Sequence, residues 1–165
     1  MSRVTTIHHV NLQISDRERT REWYEKVLGA EYLDRSPSLN RGQLQLRLGN
    51  AEIHTNDTKD PVQVSGVHFA VEIEDWDGMI AHLDDLGIFY SKVQRQAPGA
   101  GAETSWGTRE YTGNHYSYIR DPDGNTIEMV HHPLGIEDSA GKKVDLHHDA
   151  DSLSWTKRPE FDPAT

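Results

Sequence analysis

The sequence predicts an α+β fold in which a strand–helix–strand–strand–strand module occurs twice. Apolar and polar residues alternate at 6–14 and again at 66–73, which is the pattern of a strand with one buried face. Each segment is followed by an amphipathic helical pattern, at 17–28 and at 76–86. Because the same order of elements recurs, the sequence indicates an internal duplication.

The first module is predicted from strand alternation and helix-end signals. The polar face of its opening strand carries His9, Asn11 and Gln13. Asp16 is a candidate helix N-cap, and Gly29 is placed to end the helix. Three strand candidates complete the module, at 30–34, 42–48 and 50–56.

The second module repeats this spacing. His9 lies seven residues before Asp16, and His68 lies seven residues before Asp75, the second N-cap candidate. Gly87 is placed to end the second helix. Strand candidates follow at 88–94, 114–120 and 125–131.

We expect a single domain over residues 1–133, with module one at 5–57 and module two at 65–133. The second module carries an insertion around 95–113 that is rich in glycine and alanine, and we expect it to be either a lid or a mobile loop. Residues 134–165 lie outside the duplication and are polar, so we expect an arm or tail there.

Composition excludes several classes of function. The 165 residues include 17 Lys and Arg against 27 Asp and Glu, a formal net charge of -10 without a basic patch, so no nucleic-acid partner is expected. The absence of cysteine excludes disulfides and thiolate metal sites. No apolar run approaches the ~18 residues of a membrane span, and we expect a cytoplasmic protein with no membrane partner.

Four residues of metal-ligand type occupy matching places in the two modules. Glu128 lies between two apolar residues of a predicted strand, where a buried carboxylate is costly without a partner. His54 takes the same place in module one, and His9 and His68 match on the opening strands. A single strand histidine is more often a surface residue, but this joint placement predicts one divalent ion, Fe, Mn, Zn, Ni or Co.

Five other histidines are expected to be structural or solvated. His8 and His131 fall on the predicted helix-packing faces, whereas His132, His147 and His148 lie near or in the tail.

Several stretches of the sequence resemble one known family. They read IHHVNLQISD, REWYEKVLGA, AEIHTND, GVHFAVEIED, LDDLGI and YIRDPDGNTIEMV, and together they span about residues 5–131. The last is the most specific, because an Asp-Pro-x-Gly turn followed by Ile-Glu closes the metal site in many members. The family is the vicinal oxygen chelate superfamily, which includes glyoxalase I, extradiol dioxygenases and bleomycin-resistance proteins.

The resemblance implies paired βαβββ modules that form a cupped mixed sheet around a metal. It maps the ligand positions onto His9, His54, His68 and Glu128. It also implies a homodimer, because such modules often pair or swap between chains.

In the family, adjacent oxygens of a small substrate bind the metal, which acts as a Lewis acid. Glu128 is then the candidate base, and Tyr118 a candidate hydrogen-bond donor to the substrate. Further candidate substrate contacts are Asn11, Gln45, Arg47, Tyr116 and His115. Arg47 could clamp a carboxylate or phosphate, or it could be an ordinary rim charge. Tyr118 could equally be a core residue with a satisfied hydroxyl.

Coordination number leaves two reaction classes open. Four protein ligands on an octahedral ion leave two positions for a bidentate substrate, which favours a glyoxalase-like lyase or isomerase. An Fe(II) extradiol-type ring-cleaving dioxygenase needs a three-ligand site, here His9, His68 and Glu128, and His54 would not be a ligand. A metal-free drug-binding protein of the bleomycin-resistance type is a third alternative, against which the presence of all four candidate ligands argues.

Overall fold

The computed structural model describes residues 7–110, 112–137 and 140–144. The first half of the chain forms β1 (His9–Ile14), α1 (Arg17–Leu28), β2 (Glu31–Tyr32), α2 (Pro37–Gly42), β3 (Gln45–Leu48) and β4 (Ala51–Asp57). The second half forms β5 (Phe69–Glu72), α3 (Trp76–Leu86), β6 (Gly107–Thr108), β7 (His115–Arg120) and β8 (Thr126–His131). The predictions for His147, His148 and most of the tail concern positions outside these described residues.

The two halves form two four-stranded sheets with the same topology. The strand orders are β1-β4-β3-β2 and β5-β8-β7-β6. In each sheet the first pair is parallel, and the other pairs are antiparallel. The predicted α+β class with a repeated module is therefore confirmed.

Helices α1 and α3 begin and end at the predicted residues. Asp16 caps α1 by accepting a hydrogen bond from the Arg19 backbone N–H at 3.0 Å, and Asp75 caps α3 in the same way. Gly29 and Gly87 follow the two helices with φ of 65° and 66°, a left-handed conformation that favours glycine. Over the described residues, no helix combines the length and apolar content needed to span a bilayer.

The core lies between the helices and one face of each sheet. Its fully buried members come from both modules and include Tyr24, Leu46, Ile53, Ile127 and Met129. Strand alternation therefore leaves the other face of each sheet to polar side chains. This polar face carries most of the candidate site residues.

The structure differs from the predicted elements in two places. The segment 88–94 forms only an isolated bridge between Ser91 and Tyr118, and the fourth strand of the second sheet is β6, inside the predicted insertion. Helix α2 was not predicted, although Ser36 caps it and Pro37 opens it. None of its residues is buried, so it lacks the apolar stripe on which helix prediction depends.

The turn at 121–125 joins the two modules. Asp123 Oδ1 accepts hydrogen bonds from Ser15 Oγ at 2.6 Å and from the Arg19 guanidinium at 2.7 Å. Asp121 accepts from the buried Tyr24 hydroxyl at 3.2 Å. The turn that precedes β8 is thus docked onto the junction between β1 and α1.

Candidate metal centre and substrate site

His9 and His54 lie together on the polar face of the first sheet. Their rings stack with centroids 4.1 Å apart and planes at 11°. Strand β1 runs parallel to β4, and Asn11 is the register partner of His54. The structure therefore brings these two predicted ligands side by side, with the exposed Asn11 next to them.

A buried carboxylate that sequence reasoning missed orients His54. Glu52 is 3% exposed, and its oxygens lie 2.8 Å from His54 Nε2 and 2.5 Å from the Arg35 guanidinium. Burial raises the pKa of Glu52, but His54 and Arg35 outweigh burial, so the pKa lies below its usual value. A carboxylate on one ring nitrogen is the usual support for a metal-binding histidine, and it leaves Nδ1 for an ion. The signal was available, since Glu52 lies two residues before His54 on the same strand face.

Glu128 is the centre of the second half of the site. It is 8% exposed, and Oε2 lies 3.0 Å from His68 Nε2. The Tyr118 hydroxyl donates to Oε1 at 3.2 Å, and an Arg109 nitrogen lies 3.5 Å from the same oxygen. Burial and then the Glu128 charge raise the pKa of Tyr118, so the phenol stays protonated at neutral pH. Three polar side chains therefore converge on one buried carboxylate.

The orientation of His68 suits ligation through Nε2. Its Nδ1 lies 3.2 Å from the Gly66 carbonyl oxygen and 3.0 Å from the side-chain nitrogen of Gln94. In the hydrogen bond to Glu128 the proton lies on Nε2, and Nδ1 can accept from Gln94. Ligation through Nε2 would require that proton to move to Nδ1, where the Gly66 carbonyl can accept it.

The two halves of the site occupy equivalent register positions. His54 pairs with Gln45 on β3, as Glu128 pairs with Tyr118 on β7. Within one chain, however, the four predicted ligands do not form one cluster. Among the described residues, only His8, His9 and His54 form a group of three or more ligand atoms within 4.8 Å of one another. The structure therefore shows two separate pairs, His9 with His54 and His68 with Glu128.

Gln45 and Arg47, two predicted substrate contacts on the first sheet, differ in burial and in their hydrogen-bond partners. Gln45 is 6% exposed, and its Oε1 is buried with no donor among the described groups. Gln45 therefore packs beside His54 with its Oε1 shielded from solvent, so the structure does not present this atom to a substrate. Arg47 instead forms an ion pair with Glu31 on the neighbouring strand, as expected of a rim charge.

Tyr116 lies on the same face as Tyr118 and supports a cation that the sequence did not reveal. The Arg109 guanidinium lies over the Tyr116 ring at 5.1 Å from its centroid. Gly107 makes room for this ring, because an added Cβ would lie 2.7 Å from its atoms. Arg109 follows β6 in the insertion, where the sequence has no alternation from which the direction of its side chain could be predicted.

His115 lies on the opposite face of β7 from Tyr116 and Tyr118. Its ring packs 4.8 Å from Trp106 and 5.6 Å from both Trp76 and His131, and its Nδ1 lies 3.0 Å from Thr108 Oγ1. The alternation along β7 explains this position. His115, predicted as a substrate contact, therefore lies on the face of β7 that is turned away from Tyr118 and Glu128.

His8 was expected on the helix-packing face, but it lies beside the candidate ligands. Its Nδ1 is 2.9 Å from His9 Nδ1, and its ring centroid is 6.2 Å from that of His54. Strand β1 begins at His9, so the direction of the His8 side chain does not follow the alternation of the strand.

The fold and the site define a class: a protein of two βαβββ modules whose polar sheet faces carry imidazole and carboxylate groups. A family model described as the Glyoxalase/Bleomycin resistance protein/Dioxygenase superfamily matches residues 6–129. The chain belongs to this superfamily.

Relatives of known name support the same fold. The chain is similar to the trivalent organoarsenical cleaving enzyme of Bacillus sp. (strain MD1), with 26% identity over 137 residues that cover 80% of this chain and 76% of that enzyme. Lactoylglutathione lyase from Agrobacterium tumefaciens matches with 18% identity and a TM-score of 0.58, over 81% of this chain and 98% of that one. A fosfomycin resistance protein from Listeria monocytogenes matches with 14% identity and a TM-score of 0.60, over 80% and 97% of the two chains.

Proposed function

We propose that this protein is a divalent-metal-dependent enzyme, a glyoxalase-like lyase or isomerase acting on a small substrate with two adjacent oxygen atoms. The observation that carries this proposal is the setting of Glu128. A buried carboxylate meets an imidazole, a phenol and a guanidinium at a position equivalent to His54 in the other module. Converging titratable groups of this kind are typical of active sites.

The donors fit a divalent ion. His9, His54, His68 and Glu128 would hold it, and Glu52 would orient one of these ligands from behind. Three imidazoles and one carboxylate suit Fe²⁺, Mn²⁺, Zn²⁺, Ni²⁺ or Co²⁺. When bound, the ion would supply Lewis-acid polarisation of the two substrate oxygens.

The surrounding residues can perform proton transfer next to a carbonyl. Glu128 takes a proton from the carbon beside the carbonyl and returns it to the neighbouring carbon. Tyr118 holds the carboxylate oxygen by its hydroxyl, and Arg109 offsets negative charge that develops on the substrate.

One observation favours a second candidate, the Fe(II) extradiol-type dioxygenase. His54 Nε2 is engaged by Glu52 at 2.8 Å, and a ring held back by this contact would leave His9, His68 and Glu128 as a three-ligand set. The free Nδ1 of His54 supports the four-ligand site instead, and for that reason we rank the lyase or isomerase first.

The residues of this protein do not favour the activity named for the organoarsenical cleaving enzyme. Trivalent arsenic is a soft centre that prefers thiolate ligands, and this sequence contains no cysteine. A hard, oxygen-rich substrate agrees better with the amide, phenol and guanidinium groups around Glu128.

We also propose a homodimer as the working form. The two ligand pairs do not meet within one chain, which suggests that a second copy completes each site. The segment between the modules adds support, because Val62, Val64 and Val67 are each more than 60% exposed just before His68. Exposed apolar segments of this kind mark contact surfaces.

Metal content and isotope exchange test the proposed function together. We expect protein loaded with Mn²⁺, Ni²⁺ or Zn²⁺ to exchange a C–H proton for deuterium in a panel of 2-hydroxycarbonyl compounds in D₂O. Glu128→Gln should abolish exchange, because it removes the base. His82→Ala is the matched control and should leave the rate unchanged, because this exposed histidine of α3 contacts only the Lys26 carbonyl of α1 among the hydrogen bonds of the described residues.

Other outcomes would redirect the proposal. Oxygen uptake with Fe²⁺ and a catechol panel, without exchange, would establish the dioxygenase. Metal below about a tenth of an equivalent, with no rescue by added ions, would establish a metal-free binding protein.

A further inference from the structure

Three histidines of the first module lie close enough together to share one ion. The ligand nitrogens of His8, His9 and His54 all lie within 4.8 Å of one another. The ring centroids of His8 and His9 are 5.2 Å apart, and those of His9 and His54 are 4.1 Å apart. None of these three nitrogens comes from the second module.

The backbone and one carboxylate hold this cluster in place. The Glu52 backbone N–H donates to the His8 carbonyl at 3.1 Å, which fixes His8 at the end of the β1–β4 ladder. The Glu52 side chain holds the His54 ring at 2.8 Å, and Arg35 anchors that carboxylate from behind. One buried residue therefore fixes the backbone of His8 and the ring of His54, and the β1 register places His9 beside them.

We propose that His8, His9 and His54 form a three-imidazole cation site within the first module, which holds an ion without His68 or Glu128. The inference shares two residues with the proposed function but does not depend on catalysis. Imidazole donors suit borderline divalent ions, namely Zn²⁺, Ni²⁺, Co²⁺ and Cu²⁺.

The distances agree with one small ion. Two nitrogens bound to the same tetrahedral zinc lie about 3.3 Å apart, since each Zn–N bond is about 2.0–2.1 Å long. The Nδ1 atoms of His8 and His9 are already 2.9 Å apart. The rings of His9 and His54 lie nearly parallel, so one of them must tilt about χ2 for both lone pairs to point at the ion. A fourth position stays open for water or for a group of another module.

The charged group in contact with the His54 ring is the Glu52 carboxylate. Glu52 is buried as a carboxylate against His54. It would offset part of the ion's charge through the His54 ring, without binding the ion itself. Arg35 lies on the far side of that carboxylate and is ion-paired with it at 2.5 Å. The anion therefore lies between the guanidinium and the imidazoles.

Zinc titration of variants of the full chain tests the site. In a His68→Ala/Glu128→Gln background we expect about one equivalent of Zn²⁺ to remain bound by calorimetry, because the three imidazoles are intact. Adding His8→Ala to this background should weaken zinc binding at least about 100-fold, since a ligand is lost. Adding His82→Ala is the matched control and should change nothing. Co²⁺ absorption should show the intense visible bands of four-coordination in the background and lose them with His8→Ala.

Two results would overturn the inference. One is a His68→Ala/Glu128→Gln protein that circular dichroism shows to be folded but that binds less than about a tenth of an equivalent of zinc. The other is an unchanged zinc affinity after His8→Ala in that background. If wild type still binds zinc in the first case, the four-ligand site of the proposed function stands while this inference fails. Should the double variant not fold, His68→Ala alone serves as the background.

Discussion

The chemistry of single residues here is set by their immediate neighbours. Glu128 is almost fully buried, and an isolated charge at such a position is costly. His68 and Tyr118 offset that cost by hydrogen bonds to its two oxygens, and Arg109 offsets it by a positive charge 3.5 Å from Oε1. Arg109 differs from the other two, because its side chain is 46% exposed and a ligand can therefore reach it.

We predict that Arg109→Gln lowers the affinity for an anionic chelator and leaves the affinity for the metal ion unchanged. Oxalate presents two adjacent oxygens and two negative charges, so it probes both metal and guanidinium. Its affinity for zinc-loaded protein should fall about tenfold, since one charge-assisted contact is lost. Competition calorimetry against the neutral chelator acetohydroxamic acid, whose affinity should stay the same, isolates the charge effect.

Arg95→Gln is the control for this prediction. It removes the same charge from the same inserted region, at an exposed position whose side chain contacts no site residue in the described structure. Equal losses for oxalate and acetohydroxamic acid in the Arg109 variant would show that Arg109 supports the site and does not recognise charge.

At the scale of elements, the turn at 121–125 matters more than its exposed sequence suggests. The side chain of Asp123 is 4% exposed and accepts from both the backbone N–H and the hydroxyl of Ser15. The turn leads directly into β8, so the same contacts that join the modules also fix the start of the strand that carries Glu128. Burial raises the pKa of Asp123, but hydrogen bonds from Ser15 and Arg19 outweigh it, and the pKa lies below its usual value.

We predict that Asp123→Asn lowers the free energy of unfolding by about 1–2 kcal/mol at pH 7, because charge-assisted hydrogen bonds are lost. The folded pKa lies below the unfolded one, so this stabilisation is present above the unfolded pKa of about 3.9. It is lost as the pH falls through the folded pKa. Urea unfolding at pH 7 and at about pH 3 should therefore show the difference between wild type and variant shrinking on acidification.

The exposed Asp60 provides the matched control, and Asp60→Asn should leave stability unchanged at both pH values. A difference between wild type and Asp123→Asn that is the same at both pH values would contradict the charge-based explanation.

The elements also show what sequence can and cannot predict. Helices α1 and α3 were predictable residue by residue, because caps, apolar stripes and stop glycines are all local signals. The polar face was predictable from alternation, which placed His54 and Glu128 correctly on their strands. His8 and Arg109 were not, because one lies just outside a strand and the other lies in an insertion, where position depends on tertiary packing.

At the scale of the whole molecule, the duplication produces two half-sites that do not meet in one chain. His9 and His54 belong to one sheet, and His68 and Glu128 belong to the other. The exposed linker valines precede His68 in the chain, with Val67 directly before it. A second copy related by twofold symmetry would bring His9 and His54 of one chain next to His68 and Glu128 of the other chain. One dimer would then contain two complete sites.

Mixing two inactive variants tests this arrangement. We predict that His9→Ala/His54→Ala protein and His68→Ala/Glu128→Gln protein each lack deuterium-exchange activity, while a refolded equimolar mixture regains it. Random pairing makes half of the dimers mixed, and each mixed dimer has one intact site, so activity should return to about a quarter of wild type. Refolding each variant alone is the control and should restore nothing. Light scattering should give a dimer mass, and a mixture that stays inactive despite that mass would place the complete site within a single chain.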